Sequence, residues 1–259
     1  MIAGIHPLPA FRDNYIWALI GDDGESACVV DPGDPAPVRE FLDAKRLKLS
    51  DILITHHHHD HTGGLQDLIA RHRPRVFGPA GIGDIDQILG EGGRVTVFGV
   101  DFTVFAVPGH TLDHIAYYHD GSAHGIPLLF CGDTLFAAGC GRLFEGTPAQ
   151  MLASLRKLMA LPPQTAVHCT HEYTLANLAF AAAADPANTE LRERTAAERN
   201  KRENGQPTLP STIELELATN PFLRCGEPEL AASAAGRLGR PALDETEVFT
   251  AIRQWKDEF

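Results

Sequence analysis

"THHHHDH", residues 55 to 61, crowds five histidines and one aspartate into seven positions directly behind "DILIT", an apolar run with β character. The end of such a strand lifts the following residues onto a loop at the sheet edge. A purification tag would sit at a terminus, and a merely solvated loop would not account for where the aspartate and the last histidine fall. Helical zinc sites place histidines at i and i+4 so that both face one side. His56 and His58 are two apart, which opposes them on a helix and suits an irregular loop. The pattern that survives is H-x-H-x-D-H, carried by His56, His58, Asp60 and His61. Adjacent ligands such as Asp60 and His61 point in different directions, so four donors in so tight a loop indicate two metals rather than one.

Further ligands are expected at other strand ends, where α/β layers gather their sites. Three stretches qualify: "VPGHTLDH" (107–114), "LLFCGDTLF" (128–136) and "AVHCTHEY" (166–173). Each is a β-like run breaking into a polar loop, and they present His110, Asp133 and His171. Taken singly these are ordinary turn residues, and only the joint pattern makes them ligands. His114 reads as a supporting donor, and His168 as a buried strand residue.

The rest of the chain narrows the class. With 259 residues and 44% hydrophobic composition it can bury a substantial core. A net charge of −12, from 22 basic against 34 acidic residues, argues against a nucleic-acid surface. The five cysteines, Cys28, Cys131, Cys140, Cys169 and Cys225, are odd in number with no C-x-x-C pair, which favours reduced thiols over disulfides. The opening residues lack a basic leader with an apolar core, and no apolar run reaches the roughly 18 residues of a membrane span. The expectation is a cytoplasmic protein with no membrane or nucleic-acid partner.

Up to about residue 170, short β runs ("YIWALI", "ACVVD", "DILIT", "VTVFG", "FTVFAV", "IAYY", "PLLFC") alternate with turns and with helical stretches at 37–47, 63–72 and 147–160, the last opening on Thr-Pro. From Thr174 the chain turns rich in Ala, Glu, Arg and Leu and reads as about five helices. The expected boundary lies near residue 172, giving domains 1–171 and 172–259.

The series "THHHHDHTGG", "PGHTLDH", "CGDTLF" and "HEY", with "VVDPGD" at 29–34, resembles the metallo-β-lactamase superfamily. Within it, "FRDNYIWAL", "GDTLFAAGCGRLFEGT", "CTHEYTLANLAFA" and "RQWKDEF" resemble the glyoxalase II family of hydroxyacylglutathione hydrolases over nearly the whole chain. The resemblance implies an α/β fold, an αββα sandwich followed by a small all-helical C-terminal domain. It implies two divalent ions, zinc or else iron or manganese. His56, His58 and His110 would hold one, Asp60, His61 and His171 the other, and Asp133 would bridge them; Asp60 and Asp133 are the catalytic carboxylates. His57 and His59 stay outside, and Asp31 supports the loop.

The activity implied is hydrolysis of S-(2-hydroxyacyl)glutathione, S-D-lactoylglutathione above all, by a metal-bridging hydroxide in a monomer, as the second step of methylglyoxal detoxification. Glutathione carries two carboxylates, and the resemblance points to Arg142, Phe144, Tyr173, Arg253 and Lys256 as its contacts. Relatives often carry Lys at 142 and Tyr at 144, so charge is kept at the first position and a hydroxyl is lost at the second. Arg253 and Lys256 share a helix face at i and i+3. By composition alone that face is simply solvated. The rival reading is a persulfide dioxygenase with a single iron.

Overall fold

The computed structural model describes residues 1–122, 125–242 and 244–259. The chain divides into two compact units. The first comprises residues 1–107, 113–132 and 168–171; the second comprises 108–112, 133–167 and 172–259.

In the first unit, one sheet runs in the order Ile2–Ala10, Asn14–Gly21, Ser26–Val30, Lys48–Leu53, Arg75–Gly78, Gln87–Ile88. Its first three strands pair antiparallel, and its last four run parallel. Parallel neighbours need crossovers, which the helices Pro35–Lys45 and Leu65–His72 supply. Their apolar stripes, Val38 with Leu42 and Leu65 with Leu68, are buried against Ile16, Ala18, Val29 and Ile52 of the sheet. The N-terminal strand escapes sequence reasoning because Pro7 and Pro9 interrupt it. It lies at the sheet edge, where a missing N–H is tolerated.

The second sheet of this unit is an antiparallel meander of Arg94–Val97, Val100–Ala106, Ile115–His119 and Leu128–Gly132. The two sheets face one another, as buried polar groups that cross the layer show. The Tyr117 hydroxyl donates to the Ile54 carbonyl at 2.8 Å, and Trp17 Nε1 donates to the Cys169 carbonyl at 3.0 Å. The Trp17 ring also meets the buried His168 edge-on at 4.6 Å.

The second unit holds the helix Pro148–Met159, started by a Thr147–Gln150 capping box with proline in the first turn. Five more helices follow among the described residues: Thr174–Ala184, Thr189–Glu203, Ile213–Thr219, Pro228–Leu238 and Glu245–Glu258. Phe180, Phe222 and Phe249 pack as an aromatic core, with Phe180 and Phe222 stacked at 6.0 Å. A buried ion pair, Arg194 to Glu216 at 2.6 Å, knits the unit. Glu216 also accepts from the Ala138 amide at 2.8 Å and from Asn220 Nδ2 at 3.0 Å. No helix among the described residues is long and apolar enough to cross a membrane.

Candidate metal centre

The carboxyl ends of the parallel strands carry the first unit's site, which is where open α/β sheets bind ligands. Strand Ser26–Val30 runs into Asp31, and strand Lys48–Leu53 runs through Ile54 and Thr55 into His56. His56 to His58 are irregular, as the spacing requires. At His59 the chain then enters a single helical turn, His59–Thr62, closed by Gly63 N donating to the His59 carbonyl at 2.7 Å. That turn swings Asp60 and His61 apart. It is possible because the Asp-Pro-Gly segment lies backbone to backbone against it: a Cβ on Gly33 would stand 1.8 Å from the Asp60 carbonyl oxygen.

Asp60, His61 and His171 bring their donor atoms within 4.8 Å of one another. Asp60 Oδ2 lies 3.6 Å from His61 Nε2 and 3.5 Å from His171 Nε2. His56 Nε2 stands 3.1 Å from His58 Nδ1, and the His56 and His61 rings are 4.1 Å apart. The far nitrogen of each buried ring has its own neighbour. Asp31 Oδ2 lies 3.0 Å from His61 Nδ1, Asp13 Oδ1 lies 2.8 Å from His171 Nδ1, and Thr55 Oγ1 lies 3.1 Å from His56 Nδ1. Holding Nδ1 in this way fixes the tautomer and turns Nε2 inward, the arrangement of metal-ligating histidines. His114 stacks on His56 at 4.5 Å and turns its Nδ1 to the Ile115 carbonyl. The exposed His57 faces Asp113 at 3.0 Å, and His59 is exposed on the helical turn.

The second unit brings His110 and Asp133 together, with His110 Nε2 3.4 Å from Asp133 Oδ2. His110 follows the same rule: its Nδ1 is 2.7 Å from the Arg142 carbonyl, so Nε2 faces the carboxylate. Both residues are buried. Gly141 makes room for this, since a Cβ there would come within 2.0 Å of the Asp133 carbonyl oxygen.

The same unit holds the basic and aromatic residues singled out for a substrate. Arg142 is exposed, and its Nε donates to Asp257 Oδ1 at 3.2 Å. Phe144, 61% exposed, sets its ring edge-on to His110 at 5.2 Å. Tyr173 meets Phe136 edge-on at 5.4 Å. Arg253 is only 6% exposed, which a solvated helix face would not produce. It donates to the Cys140 carbonyl at 2.9 Å and to Asp257 at 3.0 Å, and it lies over the Phe222 ring. Lys256 is half-buried, with its ammonium 5.3 Å from the Phe180 centroid. Burial above all, then the Arg253 charge, holds its pKa below the ordinary lysine value.

Sequence reasoning missed Asp13, Asn14, Thr55 and Asp257. Asn14 bridges to His171 and donates to Asp60 Oδ2 at 3.0 Å. The signal for Asp13 and Asn14 was present in "FRDNYIWAL", which marks the family without revealing what the polar pair touches.

Clusters of His and Asp with oriented rings at the carboxyl edge of a two-sheet sandwich define a divalent-metal-binding hydrolase domain of the metallo-β-lactamase superfamily, whose family description matches residues 13–171. The family described as hydroxyacylglutathione hydrolase C-terminus matches residues 172–259. The chain is 55% identical to the hydroxyacylglutathione hydrolase of Pseudomonas paraeruginosa, over 98% of this chain and 99% of that one. It is 51% identical to that of Chromohalobacter salexigens, over 98% of each. Among solved structures it is similar to TTHA1623 in a di-iron-bound form, with 25% identity, a TM-score of 0.60, and 84% of this chain and 100% of that one covered. The chain belongs to the hydroxyacylglutathione hydrolase family, a metallo-β-lactamase domain followed by a helical C-terminal domain.

Proposed function

We infer that this chain hydrolyses S-(2-hydroxyacyl)glutathione, S-D-lactoylglutathione in particular, to glutathione and a 2-hydroxy acid, D-lactate, the second step of methylglyoxal detoxification. The observation that carries the reading is the 55% identity to a hydroxyacylglutathione hydrolase over 98% of the chain, and the C-terminal family description matches residues 172–259, which bear Arg253 and Lys256. The domain organisation that goes with it is 1–171 for the metal and 172–259 for the substrate.

The donor set suits divalent ions, because imidazole and carboxylate are the ligands of zinc, iron and manganese; His56, His110 and His171 each turn Nδ1 to a hydrogen-bonding neighbour, and His61 Nδ1 lies 3.0 Å from Asp31 Oδ2. His56, His58 and His110 would hold one ion, Asp60, His61 and His171 the other, and Asp133 both. Zinc is the first choice, with iron or manganese the alternatives, and the di-iron form of TTHA1623 supports a dinuclear count. Ions held there would supply Lewis-acid chemistry, acidifying a bound water toward neutrality and polarising the thioester carbonyl. Asp60 and Asp133 are the anionic members of the set, the catalytic carboxylates that would hold and orient the attacking water. Asn14 Nδ2, donating to Asp60 Oδ2, keeps that oxygen in place.

No acyl-enzyme forms. All five cysteines are buried, and burial raises the thiols of Cys28, Cys140 and Cys225, that of Cys140 to about 11, which keeps these three from serving as thiolate nucleophiles. The departing glutathione thiolate needs no strong acid. Arg142, Arg253 and Lys256 answer the two carboxylates of glutathione, and Phe144 and Tyr173 supply apolar contact. A monomer in the cytoplasm completes the reading, and the burial of all five cysteines as thiols fits a reducing compartment.

Turnover of S-D-lactoylglutathione, measured with metal analysis of the same sample, tests the reading. Release of D-lactate with two metals per chain is the expected result. A fully loaded sample that leaves the thioester intact overturns it, and oxygen consumption with one iron per chain replaces it with the persulfide dioxygenase.

A further inference from the structure

We propose that Asp257 is a specificity-determining residue: its carboxylate holds, ahead of substrate, the cationic position that a substrate carboxylate must take. The proposal rests on the reading of Arg142 and Arg253 as contacts for the glutathione end. One oxygen, Asp257 Oδ1, accepts from both guanidinium groups, from Arg142 Nε at 3.2 Å and from Arg253 Nη2 at 3.0 Å. A carboxylate shared by two arginines is the arrangement either arginine would offer to a bound carboxylate.

The two arginines differ in how firmly they are held. Arg253 is anchored on the opposite side of the contact. Its Nη1 donates to the Cys140 carbonyl at 2.9 Å, its Cζ lies 4.9 Å from the Phe222 centroid, and its side chain is 7% exposed. Its Nε is buried without a hydrogen-bond partner. An incoming anion therefore meets Arg253 at Nη2, the nitrogen that Asp257 holds. The Arg142–Asp257 half is open instead, with side chains 57% and 36% exposed. Exposed ion pairs of this kind are worth little and exchange readily. The Asp257 carboxylate can swing out while Arg253 stays in place, and the substrate carboxylate then takes over both contacts. Asp257 thus lowers affinity for anionic thioesters in proportion to the pair it gives up. It leaves thioesters without a carboxylate untouched.

The test is Asp257→Asn, which keeps an acceptor oxygen of the same shape and removes the charge. KM for S-D-lactoylglutathione is expected to fall about two- to fivefold, the range of an exposed ion pair. The change should be smaller in kcat, and KM for the lactoyl thioester of N-acetylcysteamine should not move. Asp257→Ser, which removes the charge without introducing an amide, should give the same fall, and Asp257→Glu should restore the original KM. An unchanged or raised KM for the glutathione thioester in both uncharged variants overturns the proposal, as does an equal change for the two substrates. Arg142→Gln in the same series separates the two levels. If it raises KM for the glutathione thioester while Asp257→Asn does not lower it, Asp257 alone is misassigned. If it leaves that KM unchanged, the cationic reading falls and the proposal with it.

Discussion

Asp31 divides its carboxylate between two tasks: Oδ1 accepts the Thr55 amide at 2.8 Å, while Oδ2 takes the Thr55 hydroxyl at 2.8 Å and lies 3.0 Å from His61 Nδ1. The residue is 2% exposed, and its backbone sits at φ 53, in the left-handed region that aspartate and asparagine tolerate better than other non-glycine residues. Asp31→Asn keeps that backbone and an acceptor for Thr55 but loses the charge behind His61. Metal affinity in Asp31→Asn is expected to drop about 10- to 100-fold, the usual effect of removing a partner behind a metal-bound imidazole. Asp31→Ala should lose the same affinity and melt at a lower temperature than Asp31→Asn. Equilibrium dialysis against a graded chelator, with melting curves alongside, reads both.

Removing Asp133 tests the bridging assignment. Asp133→Ala should cut thioester hydrolysis by orders of magnitude and bring metal content below two per chain. His57→Ala and His59→Ala are the matched controls, because His57 is turned to Asp113 and His59 is exposed. Both should keep full metal content by elemental analysis, and loss of metal from either would mean that the ligand register is wrong.

How legible each of these features was depended on sequence distance. The H-x-H-x-D-H spacing states its own geometry, because strand end, loop and helical turn all fall within one short segment. The apolar runs likewise announced the strands from Asn14–Gly21 to Lys48–Leu53 and from Arg94–Val97 to Leu128–Gly132, while their division into two sheets came from the family resemblance. The contact of Asp13 with His171 spans 158 residues and is created by an isolated bridge at Asn14, so no local pattern contains it. The burial of Arg253 was equally hidden. Periodicity puts it on a helix face with Lys256, but only tertiary packing supplies the Cys140 carbonyl and the Phe222 ring that cover it. The N-terminal strand was obscured for the opposite reason, since its prolines read locally as breakers and are harmless only at a sheet edge.

Lys256, proposed as a contact for the glutathione end, is expected to set an alkaline limit on the reaction. Burial, with the Arg253 charge added, lowers its pKa, so the ammonium is complete below that value and is lost as pH rises through it, earlier than for an ordinary lysine. KM for S-D-lactoylglutathione should therefore climb on the alkaline side while kcat holds. Lys256→Met should start from a raised KM and show no further climb, and Lys256→Arg should move the climb to higher pH. A pH series of KM for the three proteins settles it, and a climb that persists in Lys256→Met would assign it to another group.

Glu216 is completely buried, and its two oxygens take bonds from Arg194, Ser211, Asn220 and the Ala138 amide. Glu216→Ala leaves the Arg194 charge without its partner, which costs about 3 to 5 kcal/mol. A large fall in melting temperature should result, and pairing the change with Arg194→Met should recover much of it, because the stranded charge is gone. A double variant no more stable than the single one would show that the hydrogen bonds, and not the charge, dominate.

The Asp60, His61 and His171 cluster joins an interior loop of its unit to the unit's last residue, with Asp13 and Asn14 gripping His171 from the first hairpin. That wiring imposes an order on biosynthesis. A ribosome adding about 5 to 20 residues per second delivers the loop of Asp60 and His61 well ahead of His171. During that interval the nascent chain displays a loop that carries the four donors His56, His58, Asp60 and His61 without His171. Its Asn14–Gly21 strand meanwhile waits for the last residue it must bind. On the proposed ligand set, the cluster of Asp60, His61 and His171 is complete only once the last segment of the first unit has been translated.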